Sequence, residues 1–231
     1  RGRDVVYAGA AKSDWEISEA VGFGATIVVE RPEELPLISV AANALGKNTD
    51  ILLRLRPNVD AHTHQHLTTG TAFSKFGMPA DLVNEIIAGW SDRRVKIKGL
   101  HFHIGSQIES PECTAQAMAV ALPIIDQYGL TTLDIGGGFP VWYESEGSAP
   151  PVSDFAAAVT AAIGGRELEL IVEPGRSLVA DTAILVATVM SEEYGTDEHG
   201  NPWRIVTCDT GMADLIRPML YGATHQIWPV N

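Results

Sequence analysis

Short apolar runs alternate with longer amphipathic patterns along most of this chain, and that alternation limits the folds open to it. Strands are predicted at Val5 to Ala8, Ile27 to Val29, Ile51 to Leu55, Ile97 to Phe102, Thr132 to Ile135 and Leu168 to Val172. Between them the helical spacing fits Glu33 to Leu45, Ala80 to Trp90, Thr114 to Tyr128 and Asp154 to Ile163. Strands separated by helix-length connections must run parallel, with right-handed crossovers, so the expected class is α/β. After Arg176 the pattern changes. Leu178 to Met190 reads as a long β-rich run and Trp203 to Cys208 as a second one, with the polar SEEYGTDEHGNP between them as a turn or loop. A domain boundary is therefore expected near Ser177, with one domain over 1–176 and the start of a β-rich domain over 177–231.

Three of the apolar runs end in clusters that carry chemistry: HFHIGSQ, LDIGGGF and LIVEPGR. Gly136, Gly137 and Gly138 have no side chains, so an anion such as a phosphate can approach their backbone N–H groups. Arg176 offers a rigid fork of donors for the same group. Glu173 is a carboxylate placed to hold a proton on a ring nitrogen. His101 and His103, two residues apart, share one face of a strand. Taken singly, each has an ordinary explanation as a tight turn, a solvated strand end or a rim histidine. Together, a phosphate nest, a ring-nitrogen carboxylate and an imidazole that can stack suggest pyridoxal 5'-phosphate.

GLHFHIGSQI (99–108), LDIGGGF (133–139), VEPGRSLV (172–179) and DTGMADLIRPMLYGATH (209–225) resemble motifs of the barrel-type pyridoxal phosphate decarboxylases. Weaker matches are VVYAGAAKSDWEI (5–17), RPNVDAHTHQHLTTG (56–70) and SKFGM (74–78). The resemblance implies a partial TIM (β/α) barrel followed by the start of a β-rich C-terminal domain. All the motifs would lie after strands, at the barrel's C-terminal face. It implies that His103 stacks on the cofactor ring, Ser106 lies near its phosphate, and Gly136 to Gly138 with Gly175 cradle it. Glu173 would pair with the pyridine nitrogen, and Arg176 would contact phosphate or substrate.

Arg217 and Tyr221 would belong to the substrate pocket. A guanidinium is the natural bidentate partner of a carboxylate. DLIRPMLY therefore favours the branch of the family that converts meso-diaminopimelate to L-lysine. The alternatives are a decarboxylase of ornithine, lysine or carboxynorspermidine, and a non-catalytic regulatory relative that binds the cofactor. The family is dimeric, so a homodimer is implied for the full-length form.

The family's Schiff-base lysine and its general-acid cysteine are expected outside this chain, which is expected to be inactive and poorly soluble by itself. Lys12 superficially matches the lysine motif, but SDWEI and the distance to RPNVDAHTH fit a later strand. Lys75 reads as a loop or structural contact, and Cys113 and Cys208 as structural thiols. His62, His64 and His66 alternate as metal ligands on a strand would. No carboxylate or cysteine ligand pattern accompanies them, and the family carries a similar loop, so no metal is expected.

A net charge of −13 from 16 basic and 29 acidic residues argues against nucleic-acid and anionic-membrane partners. There is no apolar run long enough to span a bilayer, and two cysteines make no disulfide framework. A cytoplasmic protein with a small-molecule amino-acid substrate is the expectation.

Overall fold

The computed structural model describes residues 2–59, 74–143 and 148–230. His62, His64 and His66 lie outside the described residues. The chain divides into two compact units, one of 1–140 with 149–177 and one of 141–148 with 178–231.

Among the described residues, the first unit holds six strands: β1 (Val6–Tyr7), β2 (Thr26–Val29), β3 (Thr49–Arg54), β4 (Val95–His101), β5 (Thr132–Asp134) and β6 (Glu169–Ile171). Helices α1 (Asp14–Phe23), α2 (Glu34–Leu45), α3 (Ala80–Gly89), α4 (Pro111–Tyr128) and α5 (Val152–Ile163) fill the five connections. Every pairing is parallel, and each strand lies beside its predecessor, in the order β1 to β6. A doubly wound sheet would reverse direction at a switch point. An unreversed order is that of a (β/α) barrel, and this unit is part of one.

Burial explains why these runs became strands. All four residues of β2 are buried, as are five of the six in β3. Strands covered on both faces read as continuous apolar runs instead of alternating ones. The terminal strands β1 and β6 are half-buried to exposed. Between β4 and β5 the backbones pack so closely at Gly99 that a Cβ there would stand 1.9 Å from the Thr132 carbonyl oxygen.

Helix α1 was not apparent from the periodicity, because Trp15 and Phe23 are 70% and 64% exposed and only Ile17 and Val21 reach the core. Its start is secured locally. The Ser13 hydroxyl accepts the Glu16 N–H while the Glu16 carboxylate accepts the Ser13 N–H, a reciprocal capping box.

The second unit contains an antiparallel pair, β7 (Val189–Thr196) and β8 (Pro202–Cys208), and the short helix α7 (Arg217–Tyr221). Here the expectation is corrected. The start of the β-rich run is a helical turn, α6 (Arg176–Val179), residues 180–188 form no strand, and β7 continues through the polar SEEYGT. Cross-strand pairing supports that polar strand. Glu192 pairs with Arg204, whose guanidinium lies 5.7 Å from the centre of the Tyr194 ring. The reversal itself is Asp197 to Asn201, where the Asp197 carboxylate accepts the N–H groups of His199 at 2.9 Å and Asn201 at 2.8 Å.

Candidate active site

The register of the parallel sheet lays out the site. Arg54 of β3 is opposite His101 of β4, and His101 is opposite Asp134 of β5. Register partners in a sheet point to the same face, so these three polar side chains lie side by side. Glu30, the residue after β2, extends the row to the other side of Arg54, with which it makes an ion pair. Glu30, Arg54, His101 and Asp134 are 0%, 7%, 1% and 0% exposed. Charges this deeply buried need partners. The second Glu30 oxygen accepts the Gly77 N–H at 3.2 Å, and Arg54 lies 4.8 Å over the Phe76 ring.

The polar chain continues outward from Glu30. Its N–H donates to Glu34 at 3.1 Å, and Glu34 pairs with Lys12 at 3.0 Å. The Lys12 ammonium also donates to the Gly9 carbonyl at 2.5 Å, and its side chain is 1% exposed. Lys12 thus serves as a buried counter-ion for Glu34.

Above the row, the three clusters are joined by backbone hydrogen bonds. Phe102 N–H donates to Asp134 O at 2.9 Å, Ile135 N–H to Ile171 O at 3.0 Å, Ile108 N–H to Gly138 O at 2.9 Å and Glu173 N–H to Gly136 O at 2.8 Å. Gly136 and Gly138 take φ values of 67° and 94°, a region that side chains strain to enter. A Cβ on Gly137 would stand 2.0 Å from the Glu173 carbonyl oxygen. The Gly136 N–H donates to the Asp134 carboxylate at 2.9 Å and the Gly137 N–H to Nδ1 of His103 at 3.2 Å. Two of the three amides that the sequence reading offered to a phosphate therefore have acceptors within the protein. What the glycines supply above all is close packing of the three loops.

His103 accepts a hydrogen bond at Nδ1, so that nitrogen carries no proton and the ring is neutral. Burial, Arg54 and His101 push its pKa down to about 4, in agreement. Glu173 lies 3.6 Å from Nε2 of His101, too far for a good hydrogen bond but close enough for the imidazole to matter. His101 is the leading cause that holds the Glu173 carboxyl below its usual range, with His103 and Arg54 adding to it. Burial pushes the Asp134 carboxyl up to about 6, opposed by His101. His101, Asp134 and Glu173 bring ligand atoms within 4.8 Å of one another, and neither His101 nitrogen has a hydrogen-bond partner among the described residues. Arg176 donates to the Ser106 hydroxyl through Nε at 3.2 Å and Nη2 at 2.9 Å. A Cβ on Gly175 would meet nothing within 4 Å, so the backbone between Glu173 and Arg176 faces open space.

His103, Ser106, Gly136 to Gly138, Glu173, Gly175 and Arg176 are thus gathered in the first unit. Their donor set suits pyridoxal phosphate: a guanidinium and a hydroxyl for phosphate, a neutral imidazole for a ring face, and an ionised carboxylate for a ring nitrogen. The remaining residues read from sequence, Arg217 and Tyr221, belong to the second unit, at the two ends of α7. There the Arg217 guanidinium lies 4.5 Å over the Tyr143 ring and 3.2 Å from Nε2 of His225. Sequence reasoning missed Tyr143 and His225 as neighbours of Arg217, and Glu30 and Arg54 altogether. The signal for the latter pair was available, since TIVVE and DILLR are apolar runs that end in opposite charges.

Residues 1–180 match the family model of the pyridoxal-dependent decarboxylase pyridoxal binding domain. The diaminopimelate decarboxylase of Deinococcus radiodurans is 38% identical over 230 residues, covering 99% of this chain and 55% of that protein. The enzyme of the same name from Neisseria meningitidis serogroup A is 35% identical, covering 98% of this chain and 56% of the relative. The crystal structure of Helicobacter pylori diaminopimelate decarboxylase complexed with L-lysine superimposes with a TM-score of 0.86 at 34% identity, over 96% of this chain and 56% of that one. A lysine/ornithine decarboxylase from Vibrio vulnificus complexed with putrescine superimposes at 0.76 with 26% identity. The chain spans about half the length of the curated relatives it matches. A family match over 1–180, on the strands and loops that gather the site, makes this chain a member of the pyridoxal-dependent decarboxylases.

Proposed function

We propose that the protein of this chain decarboxylates meso-diaminopimelate to L-lysine with pyridoxal 5'-phosphate. The observation that carries the reading is Arg217, a guanidinium half-buried against Tyr143 and His225 in the second unit. A substrate with a distal carboxylate needs such a group, whereas a distal amine would call for a carboxylate. The likeness to diaminopimelate decarboxylases at 32–38% identity supports the same choice over the ornithine and lysine branch.

Bound at this site, pyridoxal phosphate supplies the electron sink that accepts the electrons of the breaking carbon–carboxylate bond. Arg176 and Ser106 bind the phosphate and so orient the group. Glu173, held ionised by His101, keeps a proton on the pyridine nitrogen. His103 covers one ring face as a neutral imidazole, which excludes water without setting a cation against the protonated ring. Arg217 and Tyr221 bind the distal end of the substrate.

The domain division proposed is a barrel over 1–176 and the start of a β-rich domain after it. A cytoplasmic homodimer is the proposed working form. Cys113 and Cys208 are not joined in a disulfide, and no helix among the described residues is long and apolar enough to cross a membrane.

The test is made on the full-length protein loaded with pyridoxal phosphate. Incubation with meso-diaminopimelate should release CO2 and L-lysine in equal amounts, with ornithine and lysine turned over poorly. Preferred turnover of ornithine or lysine would refute the substrate assignment. Cofactor binding without any turnover would favour a regulatory role.

A further inference from the structure

We propose that His225 and Tyr143 are positioning residues that hold the Arg217 guanidinium as a fixed fork for a carboxylate, and thereby set the preference for a diacid substrate. The inference rests on the reading of Arg217 given above.

An arginine side chain has only donors, so the 3.2 Å contact between Arg217 Nη1 and His225 Nε2 requires a lone pair on that nitrogen. His225 is therefore a neutral imidazole with its proton on Nδ1. Burial and Arg217 lower its pKa, which agrees with the neutral form.

Tyr143 lies under the guanidinium face at 4.5 Å and packs its ring against His225, with centroids 5.3 Å apart at 60°. One face of the guanidinium and one of its nitrogens are thus engaged. The remaining N–H groups keep their planar fork, the half that reads a carboxylate bidentately. Among the described residues the guanidinium meets a ring and an imidazole but no carboxylate. A half-buried cation arranged in this way is complementary to an anion from outside.

Helix α7 begins at Arg217 and closes on Gly222 at a φ of 62°, whose N–H returns to the Arg217 carbonyl. That left-handed reversal brings His225 back to Arg217, eight residues earlier in sequence. Tyr143 comes from a separate segment of the same unit. Ordering an arginine costs rotamer entropy. Residues that meet that cost during folding leave less to be met on binding.

Among the described residues, the charged and titratable groups facing His225 are Arg217 of α7 and the Tyr143 phenol. Protonation of His225 would remove its acceptor and set two cations together, so diacid binding should weaken as the medium becomes acidic.

The experiment uses the full-length holoenzyme with His225→Phe, His225→Gln, Tyr143→Leu, Tyr143→Phe and Arg217→Lys. Pimelate, a diacid without the reacting amine, serves as a competitive inhibitor. His225→Phe and Tyr143→Leu should raise both the KM for diaminopimelate and the pimelate inhibition constant by roughly tenfold, with kcat little changed. His225→Gln keeps an acceptor and Tyr143→Phe keeps a ring, so each should recover most of the loss. Nitrogen NMR of labelled histidine should show Nδ1 protonated and Nε2 not. If Arg217→Lys weakens pimelate but His225→Phe and Tyr143→Leu do not, the proposal is overturned and the Arg217 assignment stands. A proton found on Nε2 overturns it equally. If Arg217→Lys leaves pimelate binding unchanged, the assignment itself fails, and the proposal with it.

Discussion

Replacing Arg54 with methionine should be among the most damaging single changes in the barrel unit, and the structure says why. The guanidinium neutralises Glu30, which is 0% exposed and has the Gly77 N–H as its other described side-chain partner. Arg54→Met keeps most of the side-chain bulk but strands a carboxylate in the interior. Removing one member of a buried pair costs about 3–5 kcal/mol, and the lost stacking on Phe76 adds up to about 1 kcal/mol. Set against a total stability of roughly 5–15 kcal/mol, that is a large share. The double variant Glu30→Gln/Arg54→Met removes both charges and should recover most of the loss. The measurement is urea unfolding of the full-length protein, followed by tryptophan fluorescence with midpoint and slope fitted separately. A loss below about 1 kcal/mol in Arg54→Met, or a double variant no better than the single one, would refute the view that Arg54 acts as counter-charge to Glu30.

Gly137→Ala should abolish tight binding of pyridoxal phosphate, since its Cβ would stand 2.0 Å from the Glu173 carbonyl oxygen and part the loops that carry His103 and Glu173; unchanged cofactor absorbance on titration would contradict this. Borohydride reduction of the cofactor-loaded protein should leave Lys12 unlabelled, because its amine is held by Glu34 at 3.0 Å; a Lys12 adduct in the peptide map would overturn that reading. The pH dependence should show two opposed slopes. With its pKa lowered from 6.5 to about 4, His103 contributes stability that is full above 6.5 and lost as pH falls, because the unfolded chain takes up the extra proton. Asp134, raised from 3.8 to about 6, contributes stability that is full below 3.8 and lost as pH rises through 6. Across their shared window the two nearly cancel, so His103→Gln should unmask a fall in urea midpoint as pH rises from about 4 to 6; a profile parallel to the parent's would count against it.

The six parallel strands were legible in the sequence because a barrel strand is a short apolar run, and the runs at Val5, Ile27, Ile51, Ile97, Thr132 and Leu168 each became one. The cofactor motifs were legible for a related reason, since each is a local string at a strand end whose glycines, histidine, glutamate and arginine carry their chemistry with them. Helix α1 was hidden because two of its aromatic residues face outward, and β7 because pairing with Arg204 lets a polar segment run as a strand. Other features depended on which residues of different strands share a row. Glu30 and Arg54 became a pair through the register of β2 with β3, and His101 came to lie close to Asp134 and Glu173 through that of β4 with β5 and the backbone bonds beyond β6. Local sequence was enough for the barrel strands, their parallel sense and the type of chemistry. Packing was needed to commit Lys12 to Glu34, to make His103 neutral by the Gly137 N–H that donates to it, and to set Tyr143 and His225 beside Arg217. Burial and hydrogen-bond partners are set by packing between segments far apart in the chain, and local sequence carries no record of which segments will meet.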